Sequence, residues 1–123
     1  MPDAPPHEVI PAVGRAIVEA MDGRVGLLLR IVFELLHGDP DTTEGMGSSV
    51  ARGLPNLVAY LKSQMRAGHL RSMQPVVAVQ LLAGPIVVHL LTLPLAETAL
   101  GFETPQSEVI DEIVDAFLRA MAP

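Results

Sequence analysis

Four histidines, His7, His37, His69 and His89, are the side chains of this 123-residue chain best suited to metal binding or proton transfer. No two of them form an HxxxH pair, and the absence of cysteine excludes thiolate metal sites and disulfides. His37 lies near Asp39, Asp41 and Glu44, but a calcium loop needs alternating oxygen donors, a central glycine and a closing glutamate about twelve residues in. That spacing fails, so Gly38 to Gly47 reads as a solvated acidic loop. Gly45-Met46-Gly47-Ser48-Ser49 precedes a helix and offers backbone amides to an anion. It lacks the Walker lysine and a preceding strand, which favours simple capping by Ser48 or Ser49. No Ser–His–Asp set assembles, since the available residues fall on unrelated turns of different helices. The chain is therefore expected to be no enzyme and to hold neither metal nor cofactor.

Polar groups suited to ligand recognition sit elsewhere. Ser72 to Ala96 contains no charged residue, yet it includes Gln80, His89 and Thr92. Two readings stand for His89: a core side chain satisfied by backbone or by a partner helix, or a placed polar group orienting a ligand in an apolar pocket. Phe33, Tyr60 and Met65 are adaptable lining for such a pocket. With Leu61, Gln80 and His89 they make up the candidate pocket. Arg30 and Glu34 read as an i,i+4 ion pair on a groove wall.

Helices must position these groups, for no period-2 strand or hairpin signal occurs. The first helix is expected over Pro6 to Met21, with Val9, Ile10, Val13, Ile17 and Met21 on its apolar stripe. The second, Arg24 to His37, is apolar almost all round and should sit centrally. The third runs from Ser48 or Ser49 to Ala67, bent or delayed by Gly53 and Pro55, with Gly68 as the left-handed residue past its end. A fourth starts with Pro75 and runs to about Leu100, kinked near Pro85 and Pro94. Thr104 caps a fifth, with Pro105 at its first position and Val109, Ile110, Ile113, Val114, Phe117 and Met121 at helical spacing.

At 13.1 kDa the chain is a single domain spanning residues 1–123, with 50% hydrophobic residues, a surplus that points to self-association. A net charge of −6 with only 8 Lys+Arg argues against nucleic-acid binding by this chain, because phosphate neutralisation needs clustered cations. No basic, apolar leader is visible at Met1 to Pro6, so a cytoplasmic location is expected. The uncharged stretch competes as a membrane span. Internal Gln80 and His89, the two prolines and the lack of flanking Trp or Tyr argue instead for a helix buried in protein.

Several segments in order resemble the C-terminal domain of TetR-family transcriptional regulators. LLLRIVFELLHGDPD (27–41) is similar to that family's "LLR…E…P" helix end, and LVAYLKSQMRAGHLRSMQP (57–75) to its G-x-L-R-x-x-x-P passage between two long helices. GPIVVHLLTLPL, ALGFETP and VIDEIVDAFLRAMAP resemble the penultimate and final helices. Gln74 stands where the family often has an acidic residue. The resemblance implies an all-α five-helix bundle that dimerises through its last two helices and binds a small apolar effector. Ala83, Gly84, Val87, Ile110, Val114, Phe117 and Met121 would then face the twin, and the effector cavity would lie among the preceding helices. No segment resembles the family's helix-turn-helix head, so DNA binding is expected to belong to a head outside these 123 residues.

Overall fold

The structure, a computed structural model, describes residues 4–21 and 48–123 together with Gly26, Leu29, Phe33 and Leu36. Apart from these four positions, the expected second helix and the acidic loop lie outside the described residues. The described residues form four α-helices and no strand: α1 (Pro6–Met21), α2 (Ser48–Arg66), α3 (Pro75–Leu100) and α4 (Gln106–Ala120). The all-helical expectation is met.

Proline, glycine and backbone bonds set the helix ends. Pro5 O accepts from the amides of Glu8 and Val9 at 3.0 and 3.1 Å, opening α1. α2 begins at Ser48 and runs through both Gly53 and Pro55 without the expected delay. It closes at Gly68, whose φ of 81° is costly for residues bearing a Cβ. The Gln64 carbonyl there accepts from the His69 and Leu70 amides at 3.0 and 3.3 Å. α3 starts with Pro75, where a missing N–H is harmless, and stays one helix through Pro85 and Pro94. Gly101 ends it at φ 63°, with the Phe102 amide reaching Ala96 O at 3.1 Å. At α4 the expected cap is corrected: Pro105 occupies the cap position in extended conformation (φ −58°, ψ 143°), and no side chain caps the helix. The Pro105 carbonyl takes up the amides of Glu108 and Val109 instead.

α3 is the central element and packs against each of the other three, while α1 also packs against α4. Leu82, Ile86 and Leu90 of α3 meet Ile110, Val114 and Phe117 of α4, Ile10 of α1 and Leu61 of α2 in one buried core. Among the described glycines, the closest approach is at Gly14. A Cβ there would stand 3.0 Å from Val114 Cγ2, 3.4 Å from Ile110 Cγ2 and 3.9 Å from Ile86 Cδ1. Three helices converge because that position carries no side chain. The C-terminal end is tied back by the Arg71 amide, which donates to Met121 O at 2.8 Å.

Candidate functional site

Small residues on three helices leave a groove. Ala16 and Ala20 of α1, Gly53 and Ala59 of α2, and Ala83 of α3 are among its lining residues. Larger apolar side chains, among them Val13, Ile17, Leu57 and Val87, complete the walls. α1 and α2 are the sides and α3 the floor. The open volume is about 880 Å³, within the range of small-molecule sites.

No charged side chain lines this groove among the described residues; Asn56 and Tyr60 are its only polar side chains. The Tyr60 hydroxyl donates to Ala4 O at 2.7 Å, which ties the chain ahead of α1 to the α2 wall. Burial raises the Tyr60 pKa above its ordinary value, and the Glu8 carboxylate adds to the rise by disfavouring a second negative charge. The phenol therefore stays neutral and serves as a donor. Such a lining gains free energy by removing apolar surface from water and offers no ion pair to a charged guest. Among the described residues that line it, no nucleophile and base stand within reach of each other.

The structure redistributes the expected site residues. Of the six pocket candidates only Tyr60 lines the groove. Leu61 is fully buried in the core, and Met65 packs against that core. Gln80 is exposed on α3, and Phe33 is 62% exposed and is not among the groove's lining residues. His89 is half-buried on another side of α3, since two residues along a helix from Val87 means about 200° of rotation. Its ring meets Phe102 edge-on, with centroids 5.8 Å apart. Its Nε2 is buried without a hydrogen-bond partner among the described residues. Thr92, the third polar group of this helix, turns its hydroxyl back to Val88 O at 2.7 Å.

The residues expected at a twin's surface fall into three groups. Ala83 and Val87 line the groove. Ile110, Val114, Phe117 and Met121 are at most 5% exposed and fill the chain's own core. The reason is Gly14, which lets α1 press onto the apolar stripe of α4 and close it. Gly84 alone of the seven faces open space. What the sequence reading missed was the set of alanines and glycines on three different helices; only their convergence turns them into a cavity.

His69 Nδ1 bonds the buried Gln64 side chain at 2.9 Å, a structural pairing at the end of α2. Among the described residues no three His, Asp or Glu side chains gather as a metal site. α3 is long and apolar enough to cross a membrane, with a mean hydropathy of 2.2, and 28% of its most apolar window is buried within the chain. No family model, curated protein or solved structure matches this chain.

Proposed function

We propose that this chain is a helical ligand-binding and dimerisation domain of a TetR-like regulator, binding a small uncharged apolar effector in the groove of α1, α2 and α3. The observation that carries this reading is a groove of about 880 Å³ whose described walls hold no charge. A guest with an aliphatic or ring body and one hydrogen-bonding group suits it, with Asn56 or Tyr60 as the polar contact. The order of sequence segments described above supports the regulator assignment. DNA contact would belong to a separate head, in keeping with the net charge of −6. The proposed setting is the cytoplasm, as a homodimer, with no reaction catalysed.

Titration with an apolar fluorescent dye tests the groove, using medium-chain alcohols and carboxylates as competitors. Alcohols should displace the dye better than carboxylates of equal length. Ala83→Trp, which fills the floor, should weaken dye binding about tenfold or more, whereas His89→Ala should leave it unchanged. Full affinity in Ala83→Trp with an unaltered helical spectrum would reject the groove.

A second reading, a dimerisation module without ligand, is favoured by the apolar outer face of α3, and it predicts no thermal shift with any apolar compound. Insertion of α3 in lipid fits less well. α4 lies along α3 and carries exposed Glu108, Asp111, Glu112, Asp115 and Arg119. Each such charge at mid-bilayer costs about 2.5–3.5 kcal/mol on insertion scales.

A further inference from the structure

The groove is apolar along most of its length and polar towards one end. On α1 its lining runs from Val9 to Met21, about 18 Å of helix with no polar side chain facing in. On α2 it runs from Gly53 to Tyr60, and on α3 from Val79 to Val87. Tyr60 is the last lining residue of α2, and its bond to Ala4 places it where α1 begins.

The proton of that hydroxyl is already committed. A carbonyl oxygen can only accept, so the 2.7 Å contact with Ala4 O takes the single O–H that Tyr60 has. What the phenol has left for a guest is an acceptor lone pair. Tyr60 is buried, and a buried acceptor set against a second acceptor leaves the pair without a proton between them. Turning the hydroxyl towards the guest gives no relief, because it takes the bond away from the Ala4 carbonyl. The nearby Glu8 carboxylate, which helps to hold the phenol neutral, acts in the same direction. Its negative charge favours the hydrogen end of a guest's dipole over an oxygen lone pair.

Asn56 lies one turn earlier on α2 and is the other polar lining side chain among the described residues. It is exposed, and its carboxamide both donates and accepts. It therefore holds either kind of polar group, with water as a ready substitute. Selection falls to Tyr60.

We infer that the groove selects guests whose polar end is a neutral hydrogen-bond donor, an alcohol above all, which gives its proton to Tyr60 Oη. This rests on the ligand-binding reading of the groove and names the class of guest. Ketones, esters and ethers of the same size are disfavoured, since they bring a lone pair where a proton is required. The apolar body of the alcohol lies along α1 towards Met21.

Decanol and decanone, which share a carbon count, test this in competition with the apolar dye. The ratio of their affinities, alcohol over ketone, should fall about fivefold from wild type to Tyr60→Phe. It should stay unchanged in Asn56→Ala. The chain has one Tyr and no Trp, so decanol should also move the near-ultraviolet tyrosine band of the wild type to shorter wavelength, and decanone should not. That measurement decides the matter even where Tyr60→Phe fails to fold. An unchanged ratio in Tyr60→Phe, or identical tyrosine spectra with the two guests, overturns this inference and leaves the ligand-binding reading standing. Loss of the ratio in Asn56→Ala assigns the selection to Asn56 and overturns it as well. A wild-type chain that binds neither the dye, decanol nor decanone overturns both.

Discussion

α3 and α4 lie against each other, yet they meet water in opposite ways. α4 divides cleanly: Ile110, Val114 and Phe117 are buried, while Glu108, Asp111, Glu112 and Asp115 are exposed. α3 divides nothing, for it buries Leu82, Ile86 and Leu90 and exposes Leu81, Val88 and Leu95. An amphipathic helix such as α4 is satisfied by one layer of protein. A helix apolar all round needs a second layer. The two glycines repeat the contrast, with Gly14 against Val114 and Gly84 against open space.

The comparison breaks most readily at the core. Phe117→Ala should destabilise the fold by about 3–5 kcal/mol, with a lowered melting temperature at every protein concentration. Val88→Ala on the outer strip should change the dilute, monomeric chain by no more than about 0.5 kcal/mol. Equal losses at the two sites would erase the distinction between inner and outer faces. Glycine substitutions sharpen it further. Gly14→Val should cost about 1–3 kcal/mol by overpacking the junction with Val114. Gly84→Ala meets no neighbouring helix, and with helix preference opposed by crowding against Pro85 it should change the monomer by less than about 1 kcal/mol, as read from denaturant unfolding at high dilution.

The pH response reports on the groove wall. Tyr60 is the only tyrosine, so phenolate absorbance follows it without ambiguity. Its folded pKa lies above the ordinary value of 10.0, which means the folded chain holds that proton more tightly than the unfolded chain. The resulting stability is fully present below pH 10 and is lost as pH rises through the folded pKa. Glu8→Gln should lower the titration midpoint only in part, because burial is the larger cause. The smallest effect belongs to α4's outer face. Asp115→Ala removes a 2.9 Å ion pair with Arg119 in which both side chains are largely exposed, a change of about 0.3–0.5 kcal/mol.

Much of the scaffold was legible in the residues. Prolines and glycines mark helix ends through local backbone physics, and Pro6, Gly68, Pro75 and Gly101 act where the sequence places them. The apolar stripe of α4 was also readable from its spacing. What it meets was not, because periodicity says that Val114 and Phe117 must be covered and is silent on whether α1 or a twin does so. The groove was harder still. Aromatic and polar residues drew attention to Phe33, Gln80 and His89, whereas the described groove is lined by small and aliphatic residues such as Ala16, Ala20, Ala59 and Ala83. A missing side chain leaves no signal until three helices are brought together. Thr104 shows a local limit, since the extended Pro105 displaced the expected cap.

The junction of Gly14 with Val114 joins α1 to α4, two helices far apart in the sequence. During synthesis α1, α2 and α3 emerge while the site that α4 fills is still vacant, so the core face of α3 is covered only in part, by α1 and α2, until the turn carrying Val114 leaves the ribosome. Closure of the core thus waits for α4, and apolar surface that α4 covers in the finished fold is open to chaperone capture until then.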